Sequence, residues 1–176
     1  RNPGGAPANV LTAAARLGRR TAFLGKVGDD MHGRFLRQTL VDAGIDASGL
    51  MMAADVFTTL AFVALDKRGE RHFSFARKPG ADTCLRREEL NAAVLDNTRV
   101  LHVGSLSLTD EPARSATFAA VERARASGAV ISYDPNYRAA LWPDAGTAAR
   151  QMRAMVPYVD VMKLSDEETA LLTDEA

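Results

Sequence analysis

A single cysteine, Cys84, in 176 residues excludes an internal disulfide and any metal site made of this chain's thiolates alone. Charge of neither sign prevails, since 22 Lys and Arg stand against 22 Asp and Glu. That balance argues against sequence-independent binding to nucleic acid or to an anionic membrane, which needs a basic excess. No apolar run approaches the roughly 20 residues that span a bilayer. The opening Arg1-Asn2-Pro3-Gly4 is not a charged-then-apolar leader. The expectation is therefore a cytoplasmic protein with no nucleic-acid or membrane partner. No Gly-x-x-x-x-Gly-Lys-Ser/Thr loop is present, so a P-loop nucleotide site is not expected. His32, His72 and His102 stand apart from Cys and carboxylates at ligand spacing, so each reads as structural or solvated rather than zinc-binding. What remains is 47% hydrophobic and 25% charged, the composition of one globular domain or a large part of one.

Along the chain, strand and helix signals alternate. Val10, Ala13, Ala14 and Leu17 form a helical stripe ending at Gly18, and Thr21 to Val27 reads as a buried strand closed by Gly28-Asp29-Asp30. Phe35, Leu36, Leu40 and Val41 mark a helix ending at Gly44. The middle changes character. Val56 to Leu65 and Arg71 to Arg77 flank turn residues 66–70, which predicts a β-hairpin over about 56–77 with Phe73 and Phe75 on one apolar face. Alternation then resumes, with helices over Glu88–Leu95, Pro112–Ser127 and about Thr147–Met155 and a last one from Ser165. The strands between them are Val100–Gly104, Ala129–Tyr133 and Val159–Met162. Units of this kind predict an α/β fold with a mainly parallel sheet, to which the hairpin is an accessory.

In open parallel sheets ligands bind at the carboxyl ends of the strands. Four polar clusters fall there: Gly28-Asp29-Asp30, Gly104-Ser105, Asp134 to Arg138, and Lys163 to Glu168. In the third, Pro135 stiffens the turn, Asn136 can donate and accept, and the planar fork of Arg138 suits phosphate or carboxylate oxygens. The plainer reading is a strand-ending turn. In the fourth, Ser165 with Glu168 three residues on is a capping box, and the alternative is that Glu168 helps hold a hydrated Mg²⁺. Near the start, Gly4-Gly5-Ala6-Pro7-Ala8-Asn9 places a glycine turn before a helix that presents Asn9.

Together these segments resemble the ribokinase/PfkB-type carbohydrate kinase family, closest to the fructokinases. Gly4, Gly5, Asn9, Gly18 and Gly28 fall at the spacing of the family's N-terminal signature, with Leu11 where a small residue is usual. Val27-Gly28-Asp29-Asp30 with Gly33 is similar to the next family segment. Phe73 to Asp82 resembles the fructokinase lid, with Ala76 replacing a commonly aromatic residue. Asp134-Pro135-Asn136 with Arg138, Leu141 and Trp142, then Lys163 to Glu168, complete the match.

The resemblance implies a ribokinase-like three-layer α/β sandwich with a small β lid, present here as a partial kinase domain over residues 1–176. It implies transfer of the ATP γ-phosphoryl group to a sugar hydroxyl, with Mg²⁺, most simply D-fructose to fructose 6-phosphate. Gly4, Gly5, Asn9, Phe75, Arg77 and Asn136 would bind sugar, and Arg138 would lie at the sugar and the transferred phosphate. Lys163 would border the nucleotide, and Glu168 would join the Mg²⁺ network through water. The family's general base lies in a Gly-Ala-Gly-Asp turn that residues 1–176 lack, so this chain by itself is expected to be inactive. The resemblance further implies a homodimer formed through the lid. A 2-keto-3-deoxygluconate kinase, a ribokinase-type kinase and a non-catalytic sugar-binding module remain alternatives.

Overall fold

A computed structural model of the chain describes residues 2–66, 69 and 71–173. Helix α1 (Ala6–Arg16) starts after Gly5, whose φ of 117° is open to glycine and strained for other residues, and Pro7 occupies its first turn. Strand β1 (Ala22–Gly28) pairs in parallel with β2 (Asp46–Ala53) across helix α2 (Met31–Asp42). Phe23 and Val27 of β1 pack with Leu40, Ile45 and Leu50 and with Ala8, Leu11 and Ala15 of α1.

A second parallel ladder orders β5 (Val100–Val103), β6 (Val130–Tyr133) and β7 (Val161–Met162). Its buried face holds Val103, Ile131 and Tyr133. These pack with Ala120, Val121 and Ala124 of α4 (Ala113–Ala126) and with Ala148, Met152 and Met155 of α5 (Ala145–Met155). Burial of each Val- or Ile-sized side chain contributes roughly 1.5–3 kcal/mol. Small residues on α4 let the helix approach the sheet closely, which is why its stripe is alanine-rich. The opposite face of the ladder carries Val100, Val130 and Val161, all exposed. Leu24 of β1 packs against the core of this second ladder, so the two ladders adjoin.

Strands β3 (Leu60–Leu65) and β4 (Arg71–Ala76) form the antiparallel hairpin. Pairing of Val63 with Phe73 and of Ala61 with Phe75 puts Ala61, Val63, Leu65, Phe73 and Phe75 on one face. Phe73 and Phe75 stack with ring centroids 6.2 Å apart. Three residues of the expected hairpin turn, Lys67, Arg68 and Glu70, lie outside the described residues.

The α/β alternation and the parallel pairing are as expected, and three elements differ. Strand β2 is built from Asp46-Ala47-Ser48-Gly49-Leu50-Met51-Met52-Ala53, which lacks the β-branched and aromatic residues that signal a strand. Its ladder to β1 and the burial of Ala47, Leu50 and Ala53 hold it extended. The strand expected from Val56 begins only at Leu60, because Thr58 and Thr59 are drawn into side-chain hydrogen bonds at the root of the hairpin. The single helix expected over Glu88–Leu95 is broken into a turn at Arg87–Glu89 and a short helix α3 (Ala92–Asp96). Glu89 turns back to the Arg86 N–H and to Lys26, and the Asn91 side chain caps α3 by accepting from the Val94 N–H. Both contacts compete with a continuous helix.

Candidate active site

Parallel pairing of β5, β6 and β7 brings three of the four polar clusters to one sheet edge. The Ser105 N–H donates to Pro135 O at 2.9 Å and the Lys163 N–H to Tyr133 O at 3.0 Å. The Lys163 ammonium lies 3.5 Å from Asp134 Oδ1. That same oxygen accepts from the Asn136 N–H at 3.1 Å, an Asx turn. Asn136 has φ of 46°, the left-handed region that asparagine tolerates better than most residues. Backbone strain of this kind gathers at functional sites. Arg138 follows, exposed, with Nη1 donating to Tyr137 O at 2.7 Å.

Glu168, in the first turn of α6 (Asp166–Thr173), is 4% exposed and fixes this edge. Its Oε2 accepts from the Ser165 N–H at 2.8 Å, while its own N–H donates to Ser165 Oγ at 3.3 Å, so the expected capping box is formed. Oε1 accepts from the Tyr137 N–H at 2.7 Å, a contact 31 residues distant in sequence. Burial pushes this carboxyl up, but the Ser165 and Tyr137 hydrogen bonds and the Lys163 charge outweigh it and hold the group below its ordinary value. Both oxygens are thus committed to backbone. Among the described residues, no group of three or more His, Cys, Asp and Glu could hold a metal ion.

The remaining cluster, Gly28-Asp29-Asp30, serves the root of the hairpin. Asp30 caps α2 by accepting from the His32 and Gly33 N–H groups, each at 2.8 Å. It also accepts from the Thr58 N–H at 2.8 Å and the Thr58 hydroxyl at 3.0 Å. Burial raises its carboxyl, and these four donors lower it further than burial lifts it. The glycines here are required for close approach, because a Cβ at Gly33 would collide with Gly28 O and one at Gly80 with Thr59 Oγ1.

The other expected site residues fall as follows. Gly4, Gly5 and Asn9 are exposed at the start of α1. No hydrogen bond among the described residues joins them to the strand-end clusters. Phe75 is half-buried on the apolar face of the hairpin. Arg77 lies at the hairpin's root, not along its open strands, with its side chain 5% exposed. Its Nε donates to Asp82 Oδ2 at 2.8 Å, Nη1 to Thr109 Oγ1 at 2.9 Å and Nη2 to Leu106 O at 2.7 Å. Sequence reasoning missed Thr58, Asp82 and Thr109. Only Asp82, inside the lid segment, carried a local signal.

Half-buried His102 on β5 has Nδ1 3.0 Å from Ser132 Oγ. Burial lowers its tendency to protonate, against the opposing charge of Asp134. No helix among the described residues is long and apolar enough to cross a membrane.

Comparison with known proteins extends this picture. The chain is 48% identical over 171 residues to probable fructokinase-4 of Arabidopsis thaliana, covering 97% of this chain and 52% of that protein. The crystal structure of fructokinase from Xylella fastidiosa superposes with a TM-score of 0.92 at 42% identity, covering 97% of this chain and 53% of that one. Fructokinase from Vibrio cholerae O395, solved with fructose, ADP and calcium ion bound, superposes with a TM-score of 0.88 at 39% identity, covering 98% of this chain and 56% of that one. This chain therefore spans about half the length of the relatives it matches. Residues 1–176 in their entirety match the description pfkB family carbohydrate kinase, and with the fold agreeing as closely as the sequence, the chain belongs to that family.

Proposed function

We propose that the full-length protein is an ATP-dependent fructokinase. In this reaction the O6 atom of D-fructose bonds to the γ-phosphorus of ATP and the bond from that phosphorus to the β,γ-bridging oxygen breaks. ADP leaves, and the hydroxyl proton passes to a base outside residues 1–176. The observation that carries the reading is the edge where Asp134 accepts from the Asn136 N–H and Glu168 from the Tyr137 N–H, fixing the turn from which Arg138 emerges exposed. That turn carries a side-chain amide and, two residues on, an exposed planar cation, groups suited to sugar hydroxyls and to a phosphoryl group. The identity to fructokinases supports fructose as the acceptor.

In this reading Gly4, Gly5, Asn9 and Asn136 hold the sugar, and Phe75 covers it from the lid. Arg138 neutralises charge on the transferred group, and Lys163 borders the nucleotide. Positioning and charge neutralisation supply most of the rate in phosphoryl transfer. Glu168, both of whose oxygens accept from backbone N–H groups, would meet a nucleotide-borne Mg²⁺ only through water, and the ion would supply charge neutralisation of the phosphates. Exposed Val63, Leu65 and Phe73 on one lid face favour a homodimer through the lid.

The test is kcat/KM of the full-length protein with fructose, 2-keto-3-deoxygluconate, ribose and adenosine. Fructose is expected to exceed each of the others by at least about tenfold, the value of one well-placed polar contact. A preference for 2-keto-3-deoxygluconate would reassign the substrate, and sugar binding without turnover would favour a binding module.

A further inference from the structure

Besides the Thr58–Asp30 contacts, the hairpin joins the domain through a polar node around the buried Arg77 side chain. Arg77, at its exit, donates to Asp82, and Thr59, at its entry, donates to the same carboxylate. The other two arms of the guanidinium reach out of the hairpin to Leu106 O and Thr109 Oγ1, and Asp110 Oδ2 lies 3.8 Å from Nη1. The loop that receives them begins with Ser105, whose N–H donates to Pro135 O, in the turn that presents Asn136 and Arg138. An unbroken chain of contacts thus runs from both roots of the lid to the turn at the strand ends. All three guanidinium nitrogens of Arg77 thus donate to protein oxygens, and its side chain is almost wholly buried.

We propose that Arg77 is a positioning residue. It acts through Asp82, Thr109 and the loop at residues 105–110 to set the lid against the Asn136–Arg138 turn, and it does not bind the sugar. Charge-assisted bonds of this kind are strong and geometrically specific, and the planar fork is what lets one side chain hold three partners. A lid in register keeps water from the γ-phosphorus. A lid out of register admits water, whose oxygen then takes the phosphoryl group and releases phosphate and ADP with no sugar phosphate formed.

The inference rests on the kinase reading, which wild-type turnover of fructose establishes separately. The test compares Arg77→Ala, Asp82→Ala and the double variant in the full-length protein, by sugar phosphate formed and ATP consumed. Each single variant is expected to lower kcat about tenfold and to raise ATP hydrolysed per sugar phosphorylated, with the double variant no worse than either. Arg77→Lys, which keeps charge but not the fork, is expected to recover little. A rise in KM for fructose confined to the Arg77 variants, with Asp82→Ala near wild type, would overturn the proposal in favour of direct sugar binding. Lowered stability with an unchanged ratio of ATP to sugar phosphate would overturn it in favour of a purely structural node. Should Arg77→Ala fail to fold, Thr109→Val removes one arm's partner while keeping the site filled. The same rise in the ratio is expected there, and its absence would count against the proposal.

Discussion

Replacing Arg138 with alanine is expected to lower kcat/KM for fructose in the full-length protein by about a hundred- to a thousandfold, the scale for losing one donor aimed at developing charge. The loss should fall mainly on kcat, because the charge Arg138 meets grows as the phosphoryl group transfers. Its side chain is exposed and bonded to its neighbour's carbonyl, so unfolding free energy should move by less than about 0.5 kcal/mol. Arg138→Lys should recover only part of the rate, since an ammonium offers a point charge without the fork. Steady-state kinetics beside a urea melt separates the two effects. Wild-type activity in Arg138→Ala would remove this residue from the transferred phosphate.

Glu168→Ala acts on the same turn from beneath and should cost stability as well. Its carboxylate accepts from the Tyr137 and Ser165 N–H groups in a site that is 4% exposed. A buried donor left without a partner costs about 1–3 kcal/mol, so the substitution is expected to destabilise the protein by about 3 kcal/mol and to release the turn that carries Arg138. The pH dependence has a defined sign. The carboxyl is held below its ordinary value, so its contribution is complete above the ordinary carboxylate range and is lost as pH falls through the depressed value. The gap in unfolding free energy between wild type and Glu168→Gln should therefore be largest near neutrality and close on acidification. A gap that widened in acid would contradict the assignment of Glu168 as an ionised clamp.

How much of this was legible in the sequence depends on the range of the contact. Val100 to Val103 and Ala129 to Tyr133 announced buried strands because apolar runs bounded by glycine or asparagine are local signals. The Ser165–Glu168 capping box was legible for the same reason. Strand β2 was not, since a neighbouring ladder and not its own residues keeps it extended. The second role of Glu168 was equally hidden, because Tyr137 lies 31 residues away and nothing local marks the pair. Arg77 shows the sharper limit. Its place in a lid-like segment was legible, whereas its contacts with Thr109 and Leu106 O at the root were not. Composition could not foretell those two, because they come from a loop beyond β5, about 30 residues away, whereas Asp82 lies only five residues on.

The central claim is phosphoryl transfer to fructose, and the most direct measurement is the product itself. The full-length protein is incubated with Mg-ATP and ¹³C-labelled D-fructose, and the products are read by ¹³C and ³¹P nuclear magnetic resonance. The account predicts one phosphate ester with phosphorus coupled to carbon 6, formed in step with ADP. Inorganic phosphate and ADP alone, or unchanged ATP with fructose bound, would contradict it.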